Sequence, residues 1–420
     1  MRSPGRVALA FATVGLAALV LRDAVPAAAT QQAPVRGRPF VVVSNGDAAI
    51  AEAIVPVQLP ATLVGDSFVL RGEEDGEAVV TQVLRDRTLV FAVRDLAPRE
   101  VRRLRLEPAL DRRVTGPATA REGFDGVDLS LDGQPVVTYR TQPSLSLSDT
   151  VSPGVGRGGY LHPLRTPAGR IVTDDDVPAQ PEQRGLWSAW GATRVAGRTA
   201  DFWHTSRGTG AVEFEGVLET WSGAVVAGFR ARHRAVDRTV RPPLTAETET
   251  WQVTVPALGR EGGLRHRVID LTIRHEVVLT QPIIVAAAAY GGLGLRGPRG
   301  WSGGTAMAVL TSEGRTRRTA SRSRARWVAM VGLVDGANAG VAILDHPDNL
   351  RHPQPIFVDP LRPFLSYAPM QIGPIALAAL QELPLRYRIV TFDGFPDRAW
   401  LERLWQAYAH PPRAALVPAP

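Results

Sequence analysis

Short apolar runs, alternating or continuous and broken roughly every 8–12 residues by turn signals, pattern most of this chain. Between residues 39 and 110 the runs 41–43, 53–59, 68–70, 79–84, 88–93 and 101–106 read as strands, punctuated by Asn45-Gly46, Asp75-Gly76 and Pro98. The stretch 111–123 has little apolar content and contains Pro117, so it reads as a domain boundary. A hairpin follows: apolar and polar residues alternate over Val127-Asp128-Leu129-Ser130-Leu131, Asp132-Gly133 turns, and 136–139 returns. Further strands are predicted at 211–221, 224–230, 246–255, 266–279, 283–290, 306–310, 325–331, 340–344 and 384–391. Within 247–255 the Thr residues keep to one face, which predicts a wet face or a groove lining. Only the C-terminal segment has a helical stripe: Trp400, Leu401, Leu404, Trp405 and Tyr408, with Pro396 near the first turn and Pro411 beyond the last. The pattern therefore predicts an all-β chain. A small accessory N-terminal β-sandwich at 39–110 precedes a large double-sheet, supersandwich-like β domain with a C-terminal helix.

Composition supports the breaker-rich reading, with 40 Gly and 34 Pro in 420 residues. It also removes whole chemistries. There is no Cys, hence no disulfide, thiolate nucleophile or zinc–thiolate site. All 48 basic residues are Arg, so neither a Schiff-base lysine nor a P-loop lysine exists. Arg2 and Arg6, the apolar run 7–21 and the small residues Ala27-Ala28-Ala29 read as a Sec-type signal peptide over 1–29. That run is shorter than the roughly 20 residues a spanning helix needs. The expectation is a secreted or periplasmic protein with no transmembrane span in its mature chain. Removing 1–29 takes away three Arg and Asp23, lowering the formal net charge from +7 to +5. The remaining charge is dispersed, and no recognition motif accompanies the Arg-rich stretch 315–326, which reads as a solvated strand pair. Nucleic acid is not an expected partner.

Motifs with a mechanism match only by letter. Gly300-Trp301-Ser302-Gly303-Gly304 spells a nucleophile elbow, and the glycines at 292, 294 and 297 spell a dinucleotide fingerprint, but neither has the strand–helix context its chemistry needs. The informative feature is where polar and aromatic residues concentrate. His162, Arg184, Trp187, Trp190, Trp203 and His204 fall in a stretch of low predicted strand content. There the Trp residues either form a sugar platform or belong to a loop that buries its own aromatics. Asp345-His346-Pro347-Asp348-Asn349-Leu350-Arg351-His352 follows an apolar strand and suits acid–base work, metal ligation with distant partners, or loop scaffolding. Glu247 and Glu249 share one strand face; with Arg296 they read as an acid–base pair on a concave sheet or as cross-strand ion pairing. The Asp run 174–176 reads as a calcium site or a hydrated turn.

Several segments in fixed order carry a resemblance: His162-Pro163-Leu164, Thr173-Asp174-Asp175, Arg184-Gly185-Leu186-Trp187, Trp190-Gly191, Asp201-Phe202-Trp203-His204, Tyr290-Gly291-Gly292-Leu293-Gly294-Leu295-Arg296, Arg324-Ala325-Arg326-Trp327 and Asp345-His346-Pro347. Over residues 125–412 the chain resembles a bacterial family of unknown function labelled "methane oxygenase PmoA-like", and 39–110 resembles the accessory domain that often precedes it. Where that family typically shows a His pair before Arg-Gly-Leu, this chain has Glu182-Gln183. The label implies a metal-dependent oxygenase. The residue pattern itself leads to a secreted carbohydrate-active protein acting on glycosides by acid/base hydrolysis, elimination or epimerisation, or to a non-catalytic glycan-binding or envelope-associated protein. The candidate catalytic residues are His162, His204, His346 and Glu249. Candidate carbohydrate contacts are Arg184, Trp187, Trp203, Arg296, Asn349 and His352. No cofactor is assigned, a metal being compatible with the His and carboxylate content.

Overall fold

The computed structural model describes residues 38–109, 116–142, 158–175, 180–259 and 264–418. The segment 1–29, read as a signal peptide, lies outside them, as does Asp176. Each of the six runs read as strands in 39–110 is a strand. Together with the C-terminal strand they make one seven-stranded sheet, in the spatial order Ile50–Gln58, Thr88–Leu96, Ala78–Val83, Phe68–Gly72, Val101–Pro108, Phe40–Ser44 and Arg413–Val417. Its alternate residues Val41, Val43, Val55, Leu70, Phe91, Leu104 and Leu106 are buried together, as expected of strands with one dry face.

The rest of the chain is a double sheet. The back sheet has eight strands in the order Gly210–Trp221, Val226–Asp237, Leu244–Pro256, His266–Val277, Glu382–Asp393, Ala337–Asp345, Trp327–Val334 and Met307–Thr311. The front sheet, also of eight, runs Ile356–Val358, Phe364–Tyr367, Gly292–Arg296, Leu186–Ala189, Tyr160–Leu164, Gln134–Arg140, Gly126–Leu131 and Ala118–Glu122. One large apolar core joins residues of both. A four-stranded sheet adjoins them: Arg198–Asp201, Ala192–Val195, Ile283–Val285 and Ile375–Leu377. On the other side of the back sheet lies the helix Arg398–Ala409, whose N-cap Asp397 accepts a hydrogen bond from Trp400 N. Its stripe of Trp400, Leu401, Leu404 and Trp405 packs on Trp327, Leu344, Val390 and Phe392. The fold is thus nearly all β, with the C-terminal helix that the periodicity predicts. No helix among the described residues is long and apolar enough to cross a membrane.

Four local readings change. The segment 160–204, predicted to be poor in strands, contains Tyr160–Leu164, Leu186–Ala189, Ala192–Val195 and Arg198–Asp201. At four or five residues each, these are too short for alternation to register as a signal. The boundary stretch 111–123 includes a paired strand, Ala118–Glu122. The strand predicted at 283–290 ends at Val285. The Arg-rich stretch holds a short helix, Arg317–Ala320, rather than a strand pair. There Arg317 is buried and donates to the carbonyls of Gly303, Asp359 and Arg362.

The described residues all fall within one compact unit. Gln82 of the N-terminal sheet accepts hydrogen bonds from the backbone N–H groups of Val225 and Val226, at 3.0 and 2.9 Å, and Val90 packs on the same two residues. Glu52 accepts another from Gly259 N.

Candidate functional site

Strand register sorts the front-sheet side chains onto two faces. Leu161 lies opposite both Tyr139 and Leu186. Tyr139 reaches the back sheet through His233, its hydroxyl 2.5 Å from Nε2, so this face looks inward. Alternation then turns Tyr160, His162 and Trp187 outward. Trp187 lies opposite Gly294, and Arg296 opposite Phe364, which places these four on the same outer face. Two glycines make room there. A Cβ on Gly294 would come within 2.8 Å of Trp203 Cη2 and 2.9 Å of Trp187 Cζ2. Gly185 has φ +51, and a Cβ there would meet Leu161 O at 2.2 Å and His162 Cβ at 2.8 Å.

The floor of this face is aromatic. Trp187 and Trp203 have ring centroids 4.9 Å apart; Trp203 and Tyr290 are 5.9 Å apart, and Tyr290 meets Phe364 edge-on at 6.1 Å. Trp187 and Trp203 are 0% and 2% exposed, so they support the site from below and offer no open ring face for a sugar. Of the two alternatives for these Trp residues, self-burial describes them as they stand.

Two imidazoles stand on this floor. His162 accepts from Thr173 Oγ1 at Nδ1 (2.9 Å), while its Nε2 lies 3.2 Å from Asp175 Oδ1. Tyr160 donates to the other oxygen of Asp175 at 2.9 Å. Burial pushes the His162 pKa down and outweighs the nearby Asp175 and Asp174, which favours a neutral ring. The second imidazole belongs to a three-member relay. Asp201 Oδ2 holds His204 Nδ1 at 2.9 Å, and His204 Nε2 lies 3.0 Å from the Tyr290 hydroxyl. Asp201 also accepts from the backbone of Trp203 and His204 and from Arg207. Burial works to raise the Asp201 pKa, but its hydrogen bonds from His204 prevail and it is lowered. An ionised Asp201 fixes the tautomer with a proton on Nδ1, leaving Nε2 to accept the tyrosine proton.

Two guanidinium groups border the imidazoles. Arg184 donates to the carbonyls of Pro181 and Asp175. Arg296 donates through Nη1 to Gln183 Oε1 at 2.9 Å and Gln180 Oε1 at 3.2 Å. The Gln183 amide oxygen thereby positions Arg296. Two buried donors on this face, Arg296 Nε and Trp187 Nε1, have no acceptor among the described residues.

A family model described as "Family of unknown function (DUF6807)" matches residues 126–406. The chain belongs to this family. No curated protein matches the chain. The DUF6807 match takes in every residue of the outer-face site, whereas the N-terminal sheet lies outside it and meets matched residues through Gln82 and Glu52.

The remaining candidates of this DUF6807 chain lie elsewhere. His346, Asn349 and His352 surround Asp345, at the end of a back-sheet strand. Asp345 is fully buried and accepts from Asn349 Nδ2 at 2.7 Å, from Gln354 N at 2.9 Å and, across 2.8 Å, from His352 Nδ1. Asn349 also bonds the backbone of Arg386 in both directions, and His352 stacks on Trp405. His346 Nδ1 accepts from Asp348 N. Of the three readings for this loop, the hydrogen bonds match scaffolding that ties the terminal helix to the sheet. Glu249 lies between the sheets, 0% exposed, so the carboxylate face of its strand points inward and the Thr face is the half-exposed one. Asp175, Asp201 and Tyr290 hold the outer-face histidines; sequence reasoning read Asp175 only as part of a calcium site or hydrated turn and gave Asp201 and Tyr290 no role. The available signal was the Asp201–His204 spacing, which suits a side chain bonding its own turn.

Proposed function

We propose that this DUF6807 chain is an exported carbohydrate-active enzyme whose outer-face site performs acid–base chemistry. The Asp201–His204–Tyr290 relay carries the reading. Tyr290 Oη takes a proton from a substrate hydroxyl or acidic C–H and passes its own proton to His204 Nε2, and Asp201 stabilises the resulting imidazolium. His162, held neutral by burial, is the second proton-exchanging group. A substrate rich in oxygen suits the site because the half-buried His162, His204 and Tyr290 offer polar atoms to its hydroxyls. With neither Cys nor Lys in the chain, thiolate and imine routes are closed.

The test is incubation of the purified protein with neutral and uronate-containing glycosides and polysaccharides. Reducing ends mark hydrolysis, a conjugated unsaturated product marks elimination, and an isomer marks epimerisation. Tyr290→Phe is expected to lower turnover by about 10²–10⁴-fold while the circular dichroism spectrum and Tm stay close to wild type. Glycan binding without turnover, unaffected by Tyr290→Phe or His162→Ala, replaces the enzyme by a binding protein. Neither binding nor turnover on any glycan overturns the proposal.

A further inference from the structure

Between the two sheets, on the opposite face from the outer site, lies a cluster that the acid–base reading does not use. Glu247 and Glu249 project from one face of the strand Leu244–Pro256. In register, Glu249 has His233 opposite it on one side and His275 on the other, which makes a row across three strands. All four residues are 0–1% exposed. His275 Nδ1 lies 3.2 Å from Glu247 Oε1 and 3.9 Å from Glu249 Oε1, while His233 Nδ1 lies 3.9 Å from Glu249 Oε2.

Nothing in apolar packing calls for two carboxylates here, and removing them from water carries a large desolvation cost. Hydrogen bonding meets only part of the need. Trp251 Nε1 donates to Glu249 Oε2 at 3.0 Å. Glu247 Oε2 has no donor among the described residues, although the residue is fully buried.

We propose that Glu247, Glu249 and His275 bind a divalent first-row transition metal ion, with His233 as a fourth ligand. One ligand atom from each of the first three lies within 4.8 Å of the others, a spread that bond lengths of about 2.0–2.2 Å to a shared ion can close. Two carboxylates with imidazoles and no sulfur suit Zn²⁺, Mn²⁺ or Fe²⁺. Around the ligands, Trp251 orients Glu249, and Tyr139 contacts His233 at Nε2, where a neighbouring polar group fixes the tautomer of a ligating imidazole. The Trp190 ring packs on His275 with centroids 4.7 Å apart.

The experiment uses the full chain, purified without chelator and analysed by elemental mass spectrometry, then stripped and titrated with Zn²⁺, Mn²⁺ and Fe²⁺. Roughly one equivalent of metal per chain is expected, with the Tm of the stripped protein rising as one ion is added back. X-ray absorption should show nitrogen and oxygen neighbours only. Glu247→Gln and Glu249→Gln each lose the metal and the metal-dependent rise. If either variant does not fold, the wild-type stoichiometry and titration still decide. No retained metal and no thermal response to any ion overturns the proposal. Metal retained by both folded variants at the wild-type level overturns it equally. Neither outcome bears on glycan turnover at the outer face.

Discussion

At the residue scale, the sequence placed the right histidine beside the wrong neighbours. His162 and Arg296 come onto neighbouring strands because register joins Leu161 to Leu186 and Leu186 to Leu295, more than a hundred positions on. What made His204 chemically interesting was Tyr290, which is 86 residues away and invisible to local spacing. By contrast, the polar density around Asp345 was legible but ambiguous, since a buried hydrogen-bonding hub and an active site use the same residue types. Histidine burial also carries a pH consequence. His266 lies under the terminal helix, edge-on to Trp400 at 5.4 Å, and burial lowers its pKa from 6.5. Below that pH the unfolded chain binds a proton that the folded chain resists, so stability is full above about 6.5 and falls on acidification. His162 and His346 act in the same direction, and His275 opposes them. Replacing His266 by Phe isolates one contribution. Between about pH 7 and pH 5 the wild type should lose more Tm than His266→Phe, as read by calorimetry.

At the element scale, long alternating strands were legible and short ones were not. The hairpin around Asp132-Gly133 and the strand Leu244–Pro256 each bury alternate residues, and alternation is a signal that grows with length. Leu186–Ala189 is buried at all four positions because the sheet is covered on both faces, so no period exists to read. The same double coverage makes Gly294 indispensable to its strand. Gly294→Ala pushes a methyl group between Trp187 and Trp203. It should cost about 1–3 kcal/mol in denaturant unfolding and disturb Trp fluorescence. A stability change below the error of that measurement would show that the aromatic floor yields more easily than its packing implies.

At the scale of the whole molecule, the two β regions announced by composition and turn spacing are present, but their joining was not legible. Pairing of the ends depends on Arg413–Val417, five residues with a partly exposed pattern and no sequence feature that names Phe40–Ser44 as the partner. The terminal helix precedes this strand and packs on the back sheet, while Ala407 of the same helix touches the N-terminal core. Deleting residues 411–420 should therefore lower Tm and raise hydrogen exchange first in the strand Phe40–Ser44, with the front sheet less affected. Uniform exchange across the chain would show that the sheets unfold as one.

That pairing also orders events in time. Among the described strands, a ribosome makes Phe40–Ser44 first and Arg413–Val417 last. Until the late strand emerges, the run Phe40-Val41-Val42-Val43 has Val101–Pro108 on one flank and an open edge on the other. Nascent chains halted short of residue 413 thus display an apolar strand able to recruit a neighbour, and truncated products of this gene should aggregate through their beginnings rather than their broken ends.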